Sequence, residues 1–304
     1  MAALVDLSAA DAPQHLLHAC KISGFAVLTG HGVPAVVVDN MREAQRQFFK
    51  LPLEKKMTLL ATKDPNNRGY SPAHEQALDP SGKPDTKEGY YIGREVPAGS
   101  LPLQGPNVWP PEDWAPGFRS AMMEYHAAMV ALGDRVLTAL ATALGLAPDH
   151  FVPLFDHSVA TLRPLHYSSQ DAPGDIGAGA HTDFGCITLL LTDQQPGLQL
   201  FLGGRWVDVP PRPDCFVMNI GDMLERWTNG LFKSTLHRVL NNGQDRYSTA
   251  FFVDANYDAV IECVPTCCGP DNPAKYPPIQ AGEWLMGRLR ATHTEHALDS
   301  AATA

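Results

Sequence analysis

No apolar run in this sequence approaches the roughly 20 residues that a membrane-spanning helix needs. The opening residues "MAALVDLSAADAP" carry no basic segment ahead of a long apolar one. Both absences point to a cytoplasmic protein with no membrane partner. Positive charge is scarce as well: 23 Lys and Arg stand against 33 Asp and Glu, a net charge of −10. Such a surface repels phosphate backbones and anionic lipid, which disfavours nucleic acid as a partner. Cysteines number six, Cys20, Cys186, Cys215, Cys263, Cys267 and Cys268, without the dense spacing of a disulfide framework, so reduced thiols are expected. Cys263, Cys267 and Cys268 hint at zinc, but no second Cys or His cluster follows at finger spacing, and an inert loop is the simpler reading. Repeats and low-complexity tracts are also missing. What is present is a 304-residue chain with 44% hydrophobic residues, enough to bury a large core in one big domain or two modest ones.

Helical and strand signals alternate at first. In "DAPQHLLHACKISG", Asp11 is placed to cap a helix, Pro13 falls in its first turn and Gly24 stops it. The strand "FAVLT" follows, then a helix from about Pro34 to Lys50 with Val37, Met41, Ala44 and Phe48 on one stripe. Residues 63–115 are rich in Pro, Gly, Asp and Asn, with "EGYYIG" as the one strand-like piece, and read as a long functional loop. Between Gly117 and Gly145 the apolar positions Phe118, Met122, Tyr125, Met129, Leu132, Val136 and Leu140 step by three and four. They predict one amphipathic helix about 40 Å long. Beyond "DHFVPLF" the texture changes to short strands: "SVATLRPLHY", "ITLLLTD", "LQLFL", "RWVDV", "CFVMNI", "STLHRVL" and "RYSTAFFV". Their even spacing predicts an antiparallel sandwich or barrel. "AGEWLMGRLRATH" predicts a last helix, with His293 and His296 one helical turn apart and read as structural or solvated. The expected fold is mainly β with flanking helices. The chain divides into an N-terminal region, 1–155, with the long helix, and a β core with the C-terminal helix, 156–304.

In "AHTDFGCITLLL", His181 and Asp183 are two apart, and on a strand such residues project from one face. An imidazole and a carboxylate so placed can meet one metal ion, although a buried His bonded to a nearby Asp is a common structural pair. His237, in the strand-like "STLHRV", supplies a third candidate. Two His and one carboxylate leave open positions on a metal, as in non-haem Fe(II) oxygenases; zinc could use similar ligands. In "RYSTAFFV", Arg246 and Ser248 share a face that Ala250 and Phe252 make largely apolar. A guanidinium on an inward face must find an anion, and its fork suits a carboxylate, whether a ligand's or a structural Asp or Glu.

The order H-T-D, then "GDMLERWTNGLFKSTLHRV", then R-Y-S resembles the Fe(II)/2-oxoglutarate-dependent dioxygenases of the isopenicillin N synthase-like family. The resemblance extends through "LLHACKISGFAVLTGHGVP", "RQFFKLPLEKKM" and "KYPPIQAGEWLMGRLRATH". It implies a double-stranded β-helix, a distorted jelly roll, with Fe(II) held by His181, Asp183 and His237. Arg246 and Ser248 would bind the distal carboxylate of 2-oxoglutarate, with Tyr167 offering a further hydrogen bond. It also implies oxidation, chiefly hydroxylation, of a small molecule by O2 with release of succinate and CO2. Alternatives within the fold are an Fe(II) oxidase that dispenses with 2-oxoglutarate, with ascorbate as a further cofactor candidate, and an ethylene-forming activity on the oxoacid.

Two departures stand out: Pro164 lies inside a presumed strand, which suggests an edge or bulge, and Ser168 and Ser169 stand where the family commonly has Pro. Arg163 shares the face of Tyr167 and is a candidate for an anionic substrate group near the metal. Phe184, Tyr70 and Tyr90 are further substrate-contact candidates. Asn219 and Trp227 read as turn and packing residues. A monomer acting on a small molecule is expected.

Overall fold

The computed structural model describes residues 2–79, 83–99 and 101–292; His293 and His296 lie outside them. The first third contains β1 (Ala3–Asp6), α1 (Ala12–Ile22), β2 (Phe25–Thr29), α2 (Ala35–Phe49) and the single turn α3 (Leu53–Lys56). After these come β3 (Gly69–Ser71), β4 (Glu88–Tyr91) and the long helix α4 (Phe118–Ala143). The rest is β5 (Ala160–Tyr167), β6 (Ile176–His181), β7 (Ile187–Thr192), β8 (Leu198–Leu202), β9 (Arg205–Asp208), β10 (Phe216–Ile220), α5 (Asp222–Trp227), β11 (His237–Leu240) and β12 (Arg246–Val253). The short pair β13 (Val260–Ile261) and β14 (Ile279–Gln280) leads into α6 (Ala281–Thr292). No described helix is long and apolar enough to cross a membrane.

Eight strands form one sheet in the order β1-β2-β10-β7-β12-β5-β4-β3, and β6-β11-β8-β9 form a second. Strands from the first 155 residues therefore hydrogen-bond into the same sheet as β5, β7, β10 and β12. The large sheet is a middle layer, and its strands read out the two-residue period. On β12, Phe251 and Val253 point to the helices α1, α2 and α4, while Arg246, Ser248, Ala250 and Phe252 point to the space facing the small sheet. On β10, Phe216, Met218 and Ile220 take the helix side, and Val217 the other. Helix α4 lies close against β12: a Cβ on Gly133 would meet Val253 Cγ2 at 3.0 Å. The stripe Val37, Met41, Ala44 and Phe48 is buried as its spacing predicts.

Pro164 corrects one expectation. β5 is an interior strand between β12 and β4, with Pro164 opposite Thr249 in register. Its pairing to β4 lapses between Gly89↔Leu165 and the bridge Ile92↔Leu162, so the proline sits where that ladder is interrupted.

Candidate active site

The open end of the space between the sheets gathers His181, Asp183 and His237. His181 closes β6 and His237 begins β11, and the two are direct cross-strand partners, with ring centroids 4.3 Å apart. Asp183 does not continue the strand as its spacing suggests; it follows in the irregular segment after β6, with its carboxylate near both imidazoles. Its Oδ1 stands 3.5 Å from His181 Nε2 and 3.8 Å from His237 Nε2. One ligand atom from each residue falls within 4.8 Å of the others, the one such His, Cys, Asp and Glu grouping among the described residues. The zinc suggestion at Cys263, Cys267 and Cys268 finds no such grouping, and all six cysteines are free thiols.

Surrounding groups set the chemistry of this trio. His181 Nδ1 lies 2.7 Å from the Gly179 carbonyl and His237 Nδ1 lies 3.0 Å from that of Thr235. A carbonyl can only accept, so each Nδ1 is the donor, which leaves each Nε2 facing the centre. Burial, and then the charge of His181, push the His237 imidazole down to about 4 against the pull of Asp183, which keeps it neutral. Asp183 Oδ2 accepts from Thr188 Oγ1 at 2.5 Å and Asn219 Nδ2 at 2.7 Å, leaving Oδ1 for the centre. Burial raises the Asp183 carboxyl, but His237, His181 and Asn219 outweigh it and hold the group ionised. One Nε2 from each imidazole and one carboxylate oxygen suit a divalent non-haem iron.

Behind the trio, a cavity of about 70 Å³ is lined by Arg246, Ser248, Tyr167, Arg163 and Lys87. Arg246 is 1% exposed, and its Nε and Nη1 have no partner. Its guanidinium lies 4.7 Å from the ring centroid of Tyr167, its cross-strand partner. A buried fork with two unmet donors fits a carboxylate. On the helix side, Gln45 of α2 donates to Leu165 O and Ser248 O, both at 2.9 Å, tying β5 to β12 beside this fork.

Outside the trio, a second cavity of about 130 Å³ opens to the surface and shares Arg163, His181 and Asp183 with the first. Phe184, Tyr91, Phe252 and Arg68 line it, as does Asp254, whose carboxyl burial pushes up to about 7. Tyr70 and Tyr90 line neither cavity: both are buried against Phe48 in the core, and their hydroxyls bond Glu88 and the Val108 carbonyl. The aromatic of "EGYY" that reaches the cavity is Tyr91, because alternate strand residues face opposite sides.

Sequence reasoning passed over a further element. Segment 85–87 runs beside β6, with Thr86 N donating to Ile176 O and Lys87 N to Gly177 O, so the chain from there into β4 bridges the two sheets. Asp85 pairs with Lys87 in the interior and accepts Gly179 N at 2.8 Å. Gly179 therefore connects this ion pair, through its N–H, to the imidazole of His181, through its C=O. A Cβ at Gly179 would come within 2.8 Å of Asp79 N, which explains the glycine there.

Comparison with known proteins agrees with this geometry. The 2OG-Fe(II) oxygenase superfamily matches residues 156–255, and the N-terminal region of the non-haem dioxygenases in morphine synthesis matches residues 2–112. The chain is 40% identical over 297 residues to the 2-oxoglutarate-Fe(II) type oxidoreductase hxnY of Emericella nidulans, covering 92% of this chain and 84% of that protein. It is 35% identical over 314 residues to homoarginine-6-hydroxylase of Arabidopsis thaliana, covering 98% and 91%. A full-length Neurospora crassa protein crystallised in complex with alpha-KG and thymine superposes with a TM-score of 0.85 at 32% identity, over 95% of this chain and 96% of that one. The double-stranded β-helix and the cofactors Fe(II), 2-oxoglutarate and O2 follow. This chain belongs to the Fe(II)/2-oxoglutarate-dependent oxygenases, enzymes that oxidise small molecules.

Proposed function

We propose that His181, Asp183 and His237 hold the iron, that Arg246 and Ser248, with Tyr167 alongside, bind the distal carboxylate of 2-oxoglutarate, and that the enzyme hydroxylates a small organic molecule entering by the outer cavity. The observation that carries this reading is the pairing of two unmet Arg246 donors with three convergent ligand atoms across one small cavity. Bound iron supplies O2 activation, coupled to decarboxylation of 2-oxoglutarate to succinate and CO2 with transfer of one oxygen atom to a C–H bond. The chain's own work is positioning and exclusion of water. Nδ1 bonds to Gly179 and Thr235 fix the two imidazoles, Thr188 and Asn219 fix the carboxylate, and Arg246 sets the depth of the cosubstrate. Arg163 and Phe184, between metal and surface, are the substrate-facing residues of this reading.

The division at residue 155 is then one of role: 1–155 supports and covers the mouth, and 156–304 contributes every metal and cosubstrate group. We infer also a monomer working in the cytoplasm, a reading that six free thiols support. Adding 2-oxoglutarate anaerobically to the Fe(II) protein tests the whole. Chelation should give a visible charge-transfer band, and aerobic turnover should form succinate faster when substrate is present. An Fe(II) protein with no band and no succinate would refute the cosubstrate assignment.

A further inference from the structure

The wall between the two cavities carries more positive charge than its neighbours offset. Arg163 is 7% exposed and borders both cavities. Its Nη2 donates to the uncharged Gln76 Oε1 at 2.9 Å, its guanidinium lies 4.3 Å from the Tyr91 ring centroid, and its Nε has no partner. No ion pair engages it among the described residues. Lys87, 5% exposed, faces the same space from the segment that bridges the sheets. The two cations are close enough that, after burial, the charge of Arg163 is the next influence bringing the Lys87 ammonium down to about 8. The carboxylate paired with Lys87, Asp85, is also engaged by Gly179 N.

Asp183 is committed to the metal and Arg246 to the cosubstrate. Asp254, the other carboxyl lining the outer cavity, accepts from Cys186 N and is held toward its neutral form by burial, so Arg163 is left without a committed counter-ion. A neutral acceptor could bond the guanidinium but would leave its charge buried and uncompensated, which is costly; a carboxylate would meet it with a charge-assisted bond. The interior of the outer cavity has room for one ring. A cavity of about 130 Å³ is close to the roughly 150 Å³ that accommodates a benzene-sized molecule, and Tyr91, Phe184 and Phe252 give it aromatic sides. We infer that the substrate is a compact one-ring carboxylic acid, its carboxylate received by Arg163 with Lys87 reinforcing the field, and its ring held between the aromatic walls. This rests on the metal and cosubstrate assignment above.

The test uses the full chain loaded with Fe(II) and 2-oxoglutarate under anaerobic conditions, so that the Arg246 fork is occupied. Benzoate and cyclohexanecarboxylate are titrated beside their neutral amides, benzamide and cyclohexanecarboxamide, by calorimetry and by perturbation of the visible band. The acids should bind at least about tenfold more tightly than the amides, the least expected for one hydrogen bond to a charged group. Arg163→Gln should erase the preference while the cosubstrate band persists, Arg163→Lys should restore part of it, and Lys87→Gln should weaken it. Equal binding of acid and amide to the wild-type protein, or a preference that survives Arg163→Gln, would overturn the inference. Should the band fail to form, the cosubstrate assignment falls, and the calorimetric comparison of acid with amide still judges the carboxylate pocket by the same criterion.

Discussion

Replacing Arg246 separates the energetics of the fold from those of cosubstrate binding. The guanidinium is buried with Nε and Nη1 unmet, and a carboxylate held by that fork gains two charge-assisted hydrogen bonds. At about 1.5–3 kcal/mol each, these sum to about 3–6 kcal/mol, or roughly 10²–10⁴ in affinity. Arg246→Met should lose that whole factor, whereas Arg246→Lys keeps a point charge without the fork and should lose roughly half of it in free energy. Without cosubstrate the ranking changes. Met removes a buried charge that has two unsatisfied donors and gives up a cation–π contact with Tyr167 worth about 0.5–2 kcal/mol, so the unliganded fold should be no less stable to within about 1 kcal/mol. The assay is anaerobic titration of 2-oxoglutarate into the Fe(II) protein, with thermal unfolding measured alongside. At a concentration of about 100 times the wild-type Kd, 2-oxoglutarate should stabilise wild type by about 2.7 kcal/mol and the Met variant by about 0.4 kcal/mol or less. A Met variant whose Kd stays within about threefold of wild type would refute the reasoning.

Other consequences can be measured directly. His181→Ala or His237→Ala should abolish stoichiometric Fe(II) binding, read by calorimetry, with only a modest loss of metal-free stability; retained binding would remove that residue from the ligand set. Asn219→Leu deprives Asp183 Oδ2 of one of its two donors and should weaken iron binding about 10–100-fold, whereas unchanged affinity would make the asparagine merely structural. Acid stability should depend on His126, whose buried imidazole is pushed down to about 4 by burial despite its bond to the Ala160 carbonyl. The unfolded chain binds that proton near pH 6.5 and the folded chain only near 4. This contribution is therefore complete above about pH 6.5 and lost as pH falls toward 4, by up to about 3 kcal/mol. Urea unfolding of wild type and His126→Gln at pH 7 and pH 4.5 should differ by about 2–3 kcal/mol in their pH dependence, and parallel profiles would contradict it.

Elements with strong periodicity were legible in the chain alone. Helix α4 and strands β5, β7 and β12 match their patterns because apolar residues recur at the period of a half-buried element. β6 was not legible: in "IGAGAH" only Ile176 is β-branched, and its glycines are small because Tyr167 and Asp79 press on them. The grouping of His181, Asp183 and His237 was readable because the signal lies in residue type and order. Asp85 and Lys87 were not, since their importance comes from a segment that crosses between sheets, a tertiary fact with no local signal. Tyr70 and Tyr90 misled for a related reason: a loop rich in Pro and Gly suggested a lid, whereas short pairing of β3 with β4 folds those aromatics into the core.

The central claim is that three side chains and one guanidinium define a single iron and cosubstrate site. Diffraction from crystals loaded anaerobically with Fe(II) and 2-oxoglutarate, recorded at the iron absorption edge, tests it most directly. One anomalous peak bonded to His181 Nε2, His237 Nε2 and Asp183 Oδ1, with the distal carboxylate on Arg246, is the predicted result. Iron bound elsewhere, or a cosubstrate whose carboxylate lies away from Arg246, would contradict the account.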